Sequence, residues 1–211
     1  AVLAFLTDTA ALDIDMKDND GDTPLHLAAR GGRHDAVQFL LESGASMQVR
    51  NHKGYTPLHD IATDGNARVA ALFTALSPAP ADWNTPSAVT KETPLHLAAQ
   101  RNFVQLIAFL LDHGADVTRQ DSQRHTPLQR ALETKCLSSV VQLTDHMVKN
   151  NIPVPAVSDG SLPLIYIAAA QVSPKFLEAL HKAGAPIGGM NDAGNTALHV
   201  AVAAGYLENV A

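Results

Sequence analysis

The sequence predicts an all-α solenoid of stacked helix-turn-helix units. A four-residue segment, Thr-Pro-Leu-His, and its variants recur along the whole chain, at Thr23–His26, Thr56–His59, Thr93–His96, Thr126–Gln129, Leu162–Ile165 and Thr196–His199. The steps between successive segments are 33, 37, 33, 36 and 34 residues. A nearly constant period of this size is typical of a repeat array, in which each unit packs only on its neighbours, and not of a globule with one centre.

Each unit carries signals for two short helices. In the first unit Thr23 is a favourable N-cap, and Pro24 suits the first helical position because its missing N–H would be unpaired there anyway. Gly32 suits the end of this first helix, since glycine adopts the left-handed conformation without steric cost. Apolar residues at helical spacing over 36–41 predict a second helix. The stretch Ser46–Tyr55 then predicts a β-hairpin-like loop that leads to the next unit.

We expect one continuous domain over residues 1–211. It comprises about five full units with a partial unit at each end, at 1–17, 18–50, 51–87, 88–120, 121–156, 157–190 and 191–211. Residues 1–6 have the apolar pattern of a second helix, and the chain ends where another second helix would begin. Since neither end carries a polar capping face, the pattern favours a fragment of a longer protein.

The T-P-L-H-x-A core at a 33-residue period resembles the ankyrin repeat from end to end of the chain. This resemblance implies that a partner binds the concave surface, through the hairpin tips and the exposed ends of the first helices. Carried over to matching positions, the predicted partner-binding residues are Arg30, His52, Lys53, Tyr55, Lys91, Gln100, Arg101, Gln123 and His125. Tyr55 and Arg101 are leading anchors, because aromatic and arginine side chains are enriched at binding hot spots.

Two stretches depart from the regular unit. The 37-residue step contains an insertion at 77–87, whose three prolines predict a stiff extended loop. This loop carries the only tryptophan, Trp83, which we predict as a third binding anchor; packing within its own loop is the alternative. In the fourth unit, residues 135–139 predict a longer helix junction. Gln129 and Arg124 also replace the usual histidine and tip glycine, so we expect an irregular surface around 121–160.

Ten histidines raise the question of a metal site, but their register favours a structural role. His26, His59, His96 and His199 lie on successive units, not four residues apart on one helix as in a metalloprotease pair. We expect each ring to bond the helix-start backbone and threonine hydroxyl of its own or a neighbouring unit. No metal ligand is therefore predicted.

The acidic run from Asp13 to Asp22 raises the question of a calcium loop. An EF-hand requires glycine at its sixth position and glutamate at its twelfth. Counted from Asp18, the glycine comes fourth (Gly21) and the twelfth residue is Ala29. A solvated hairpin turn is the better interpretation.

Composition narrows the classes of partner and compartment. The net charge of −6 disfavours a general nucleic-acid surface, and no apolar run has membrane-spanning length. Cys136 is the single cysteine, so no internal disulfide is expected and a reducing compartment is favoured. We expect an intracellular, cytoplasmic protein, with a secreted effector that acts in a host cytosol as the alternative.

No catalytic pattern stands out. Phosphate-binding glycine loops and the Gly-x-Ser-x-Gly elbow do not occur in the sequence, and Cys136 has no CxxC companion. We predict no catalytic residues, no cofactor and no small-molecule substrate. The predicted function is a protein-interaction scaffold for a folded domain or peptide. The alternative is a substrate-recruiting or regulatory segment of a larger enzyme, such as a host-targeted bacterial effector.

Overall fold

A computed structural model describes residues 13–76, 81–154, 164–171, 173–191 and 193–206. These residues form eleven helices and no strand. The helices are α1 (Pro24–Arg30), α2 (His34–Glu42), α3 (Pro57–Asp64), α4 (Ala67–Leu76), α5 (Pro94–Gln100), α6 (Val104–Asp112), α7 (Pro127–Glu133), α8 (Leu137–Lys149), α9 (Leu164–Ala169), α10 (Lys175–Lys182) and α11 (Ala197–Ala203).

The helices stack in two layers. The odd-numbered helices from α1 to α11 form one layer in which each contacts the next, and the even-numbered helices from α2 to α10 form the other. Leu25, Ile107, Leu110 and Leu143 are among the side chains fully buried in the core that these layers share. The predicted helical repeat solenoid is confirmed. Each helix pair lies inside one predicted unit, while the unit boundaries and the single-domain assignment remain predictions.

At α1, α3 and α5 the recurrent histidines close a capping box at the start of the helix. In α1 the backbone N–H of Thr23 donates to His26 Nδ1 at 3.1 Å, and the two side chains meet at 2.8 Å. The remaining nitrogen, Nε2, then carries the proton and donates to the carbonyl oxygen of Tyr55 at 3.0 Å. His59 and His96 repeat this contact with the carbonyls of Glu92 and His125. Each histidine therefore caps its own helix and fastens the next unit.

Neighbouring hairpin tips are joined by backbone hydrogen bonds. The N–H groups of His52, Ala88 and Ser122 donate to carbonyl oxygens of the preceding tip, at 3.0, 3.0 and 2.8 Å. The acceptors are Asp20, Gly54 and Thr90, respectively. The tips therefore form a connected edge of the solenoid, although they contain no strand within the described residues.

The fourth unit is more regular than the sequence predicts. Three residues separate α7 from α8, the same number as between α1 and α2, so the expected longer junction is wrong. The extra length lies in α8 itself, which has 13 residues. Gln129 accepts from the N–H of Thr126 at 2.7 Å and so replaces the capping histidine. Arg124 adopts the left-handed φ of 64° in place of the tip glycine.

The 37-residue step is accounted for without a long insertion. Ala81–Pro86 repeats the geometry of 45–50 and 115–120, each with a turn at its third and fourth residues. After the second helix, four residues (77–80) precede Ala81, whereas two (43–44) precede Ala45 in the first unit. Helix α4 is one residue longer than α2, and the third hairpin tip is one residue longer than the second. The four residues by which the 37-residue step exceeds the 33-residue step are therefore spread over three places.

Several predicted features lie outside the described residues. They are the second helix expected at 1–6, the residues 77–80 of the predicted loop, the first two residues of the variant segment Leu162–Ile165, and the second helix expected to begin near the chain end.

Candidate partner-binding surface

One open groove brings together four of the residues predicted to bind a partner. It has a volume of about 420 Å³ and lies between the ends of the first helices and the hairpin tips. We call it the central groove, and its lining residues are Arg30, Lys53, Tyr55, Asp60, Thr63, Asp64 and Arg101. The predicted residues among them are Arg30, Lys53, Tyr55 and Arg101.

Secondary structure places these side chains side by side. Arg30 is the last residue of α1, and Asp64 is the last of α3. Lys53 and Tyr55 lie in the hairpin turn before α3, and Arg101 directly follows α5. Because the first helices stack in one layer, their ends and the adjacent tips face a common surface.

Arg30 bridges two buried carboxylates. Its Nη1 lies 2.7 Å from Asp22 Oδ2, and its Nε donates to Asp60 Oδ1 at 3.0 Å. Asn51 Nδ2 also donates to Asp22 at 2.7 Å. Burial alone would raise the pKa of Asp22, but hydrogen bonds from Arg30 and Asn51 hold it below its usual value. The hydrogen bond to Asp22 in turn raises the pKa of Arg30. This cluster fixes the floor of the groove.

Asp60 is the one member of this cluster that is incompletely satisfied. The residue is only 1% exposed, and its Oδ2 has no hydrogen-bond partner among the described residues. Burial raises the pKa of Asp60, and the hydrogen bond from Arg30 opposes this shift only in part. The groove therefore contains a desolvated carboxylate oxygen that still lacks a donor.

Tyr55 is held in one orientation by a ring contact and a hydrogen bond. Its ring stacks on His59 with centroids 5.2 Å apart and an interplanar angle of 6°. Its hydroxyl donates to Glu92 Oε2 at 3.2 Å, and Thr90 donates to the same oxygen at 2.7 Å. Burial, together with the Glu92 charge, raises the pKa of Tyr55 to about 12. The phenol therefore stays neutral and presents a rigid edge to the groove.

Lys53 and Arg101 supply positive charge that no carboxylate neutralises within the described part of the chain. Both residues are exposed, and Arg101 Nη1 donates to the backbone carbonyl of Thr63 at 2.9 Å. Neither forms an ion pair with a described residue. An arginine fixed by a backbone carbonyl keeps most of its donors available for a partner.

The other predicted residues lie along the tips or at a helix end. His52 is exposed and packs over Gly21, where an added Cβ would meet its ring at 2.7 Å. Lys91 is exposed in a left-handed turn with φ of 59°. Gln123 accepts from Arg130 at 2.7 Å.

Two predicted residues are less accessible. His125 is half-buried, with Nδ1 3.4 Å from Glu133. Gln100 ends α5, half-buried, and its carbonyl accepts the Cys136 thiol at 3.4 Å. The central groove is not lined by any of the five predicted residues described last, which are His52, Lys91, Gln100, Gln123 and His125.

The prediction of Trp83 as a surface anchor is wrong. Its side chain is 3% exposed and packs edge-to-face against Phe109, with centroids 5.6 Å apart. Trp83 occupies the position that Val117 fills in the next unit, so its indole completes the core. The preceding Ala81-Asp82, which matches Ala115-Asp116, is the sequence signal for this register.

Asp60 is the groove residue that the repeat pattern did not single out. It follows the capping histidine, at the position where the first and third units carry Leu27 and Leu97. A carboxylate at a position that is leucine in the first and third units was the available signal, since buried charge is costly unless it is paired or used.

The same cluster contains three potential metal ligands. Single atoms of Asp22, His26 and Asp60 lie within 4.8 Å of one another. Both nitrogens of His26 are already hydrogen-bonded, and Arg30 occupies one oxygen of each carboxylate. A cation would have to displace Arg30, so the arrangement fits an arginine bridge better than a metal centre.

The fold and the site define a helical repeat scaffold that presents a surface of preformed polar anchors. Among the helices in the described ranges, none has the length and apolarity needed to cross a membrane. The family model described as ankyrin repeats (3 copies) matches residues 2–75 and 61–154. The chain belongs to the ankyrin repeat family. Ankyrin repeat domains generally bind other proteins.

The chain spans only a small part of the curated relatives that it matches. The transient receptor potential cation channel subfamily A member 1 of Drosophila melanogaster is 31% identical over 54% of this chain, and its Caenorhabditis elegans homologue is 28% identical over 89%. Human inversin is 31% identical over 73% of this chain. The matched segments span 10%, 15% and 14% of those proteins, respectively.

A solved structure shares the fold. The crystal structure of the human ASB11 ankyrin repeat domain matches with a TM-score of 0.74 at 22% identity. The match covers 95% of this chain and 86% of that one. At this identity the likeness supports the fold alone.

Proposed function

We propose that this chain is a protein-interaction module whose partner binds along the central groove and the adjacent hairpin tips of the second to fourth units. The observation that carries the proposal is the convergence of Arg30, Lys53, Tyr55 and Arg101 on one groove. These residues come from three successive units. A surface assembled in this way suits an extended segment or the edge of a folded domain.

The anchors are preorganised, which supports a binding role. Tyr55 is fixed by His59 and Glu92, and Arg101 is fixed by the Thr63 carbonyl. A partner that contacts these groups loses little side-chain entropy on the scaffold side. Tyrosine and arginine in such settings are the residue types that most often dominate binding energy.

The test is affinity capture by the parent chain and by a double variant, Tyr55→Ala with Arg101→Glu. We expect the double variant to retain the melting temperature of the parent within a few degrees and to lose at least tenfold in capture of the partner proteins, as quantified by mass spectrometry. Arg68→Glu on α4 is the charge-matched control, because Arg68 is exposed in the other helix layer. Equal capture by the double variant and the parent would place binding elsewhere.

A further inference from the structure

The central groove also indicates what kind of segment would occupy it. We propose that it is a receptor for an arginine side chain of a partner protein, followed or preceded by an acidic residue, with Asp60 as the arginine acceptor. This inference rests on the proposed function and specifies the chemistry of the segment that binds. Three observations support it: an unpaired buried oxygen, a second carboxylate beside it, and an unneutralised basic wall.

The first observation is the state of Asp60. One oxygen accepts from Arg30, while Oδ2 has no partner among the described residues although the side chain is 2% exposed. A buried acceptor without a donor is unfavourable, because the desolvation of the oxygen is not compensated by a hydrogen bond. Asp60 lines the groove, and a donor that enters the groove completes this hydrogen bonding once the groups that cover Oδ2 move aside. The missing partner must be an N–H or O–H donor, and a cationic one gives the stronger bond.

The second observation is that Asp60 does not stand alone. Asp64 lies four residues on in α3, is exposed, and lines the same groove. Side chains at this spacing share one face of a helix. A guanidinium offers five N–H groups in a planar fork, whereas an ammonium is a compact point charge. Two carboxylates on one helix face therefore favour arginine over lysine.

The third observation is the basic side of the groove. Lys53 and Arg101 line the groove together with the two acidic residues and have no carboxylate partner within the described residues. They would repel an isolated cation that approached Asp60. A segment with neighbouring basic and acidic side chains is complementary to both sides of the groove. Its basic side chain would face the carboxylates, and its acidic side chain would face Lys53 and Arg101.

Position in the repeat argues that the carboxylate is not needed for folding. Leu97 occupies the equivalent position in the third unit with 2% exposure, and Leu27 does so in the first unit. Arg30 would keep its ion pair with Asp22 if Asp60 were replaced. The variant Asp60→Leu should therefore fold and should raise the melting temperature, because it removes a desolvated charge.

The probe is a capped tetrapeptide, acetyl-Ala-Arg-Asp-Ala-amide, and its reversed form with aspartate before arginine. Binding to the parent chain is followed by the NMR shifts of the Thr63 and Arg101 amides and of the Asp60 carboxyl carbon. We expect saturable shifts with at least one peptide. Replacement of arginine by neutral citrulline, or of the peptide aspartate by asparagine, should weaken binding at least tenfold and about threefold, respectively.

Two substitutions in the chain complete the test. Asp60→Leu should abolish saturation while circular dichroism shows an intact fold, and the exposed-site control Asp35→Asn should bind as the parent does. Should Asp60→Leu not fold, the Asp60 carboxyl shift in the parent chain, with the arginine and citrulline peptides compared, decides the question by itself.

The outcomes separate this inference from the proposed function. Binding of arginine and citrulline peptides with equal affinity, or unchanged binding to a folded Asp60→Leu variant, would overturn the arginine receptor. If partner capture nevertheless depended on Tyr55 and Arg101, the protein-interaction function would stand without it. If the Tyr55 and Arg101 substitutions left partner capture unchanged while the peptide still bound, the arginine receptor would be supported and the proposed larger binding surface would be rejected.

Discussion

The buried histidines make the free energy of unfolding depend on pH. Burial lowers the pKa of His59 to about 4 and also lowers that of His96. An unfolded histidine has a pKa near 6.5, so between these values the unfolded chain binds a proton that the folded chain rejects. Stability from this source is complete above pH 6.5 and is lost as the pH falls toward 4. At pH 4 the loss from His59 alone is about 3 kcal/mol.

We predict that His59→Gln flattens this acid dependence. Gln129 shows that a neutral glutamine accepts from the capping threonine N–H at 2.7 Å, so the variant should keep its helix cap. Its free energy of unfolding should lie within about 1.5 kcal/mol of the parent at pH 7.5 and fall by about 3 kcal/mol less between pH 7 and pH 4. Urea unfolding across this range measures both values.

A control substitution distinguishes the effect of the buried capping histidine from the effect of removing any histidine. His34→Gln removes a histidine whose side chain is 49% exposed, so it serves as the control against which the acid profile of His59→Gln is compared. A His59→Gln variant as acid-sensitive as the parent would show that other groups govern acid unfolding.

Individual residues also show how far the sequence carries toward the site. The positions of Arg30, Lys53, Tyr55 and Arg101 were predictable because tips and helix ends recur at fixed positions of the repeat, and the groove brings the four together, while their role in binding stays a prediction. The ion pair of Arg30 with Asp60 was not predictable, since Asp60 belongs to the next unit and meets Arg30 only after stacking. Trp83 was misassigned because its polar and proline-rich surroundings hid its repeat register.

At the scale of the element, the hairpin tips depend on a left-handed residue in tight contact with the next unit. Gly54 has φ of 75°, and a Cβ there would lie 2.5 Å from Ala88 Cβ and 2.8 Å from its backbone nitrogen. Gly114 has a similar φ of 84°, but a Cβ there would meet nothing within 4 Å. The two glycines share the conformational requirement and differ in the space around them.

We predict that Gly54→Ala is the more destabilising of two otherwise similar substitutions. Gly114→Ala should cost about 1 kcal/mol, the penalty for a side chain in the left-handed region. Gly54→Ala should cost about 3 kcal/mol, because the backbone of Ala88 must also move. Chemical denaturation of both variants measures the difference. Equal costs would mean that the tips separate easily and do not act as a connected edge.

The elements themselves were largely predictable. Thr-Pro starts mark the first helices of the first four units, and glycine ends mark those of the first and second. These signals are local, so they can be recognised without knowledge of the fold. The fourth-unit junction was missed for a physical reason. Lys135 adopts φ of 61°, a conformation that sequence patterns assign to glycine, so the turn there was not recognised.

At the scale of the whole molecule, stability is a sum over units and their interfaces. Leu110 is fully buried in α6, which packs between α4 and α8 as well as on α5. A charge at this point would disturb both neighbouring interfaces of the middle unit. The units at each end, however, contact it only through their neighbours.

We predict that Leu110→Asp unfolds the array from its middle. The buried carboxylate should cost about 4 kcal/mol or more. Native-state hydrogen exchange should show the largest loss of amide protection in α5 and α6, a smaller loss in α3, α4, α7 and α8, and the least change in α1 and α2. Leu27→Asp, at a residue 50% exposed, is the control and should leave protection unchanged. Uniform loss of protection along the chain would indicate a single cooperative unit.

The return to register at Ala81 has a consequence for how such an array changes length. Asn84 Nδ2 donates to the Gly114 carbonyl at 3.0 Å, and its Oδ1 accepts from the Asp116 N–H at 2.7 Å. One side chain thus donates to and accepts from the backbone of the next unit. This amide clamp fixes the spacing of the two units at residues 84 and 114–116, whatever the length of the chain that precedes Ala81.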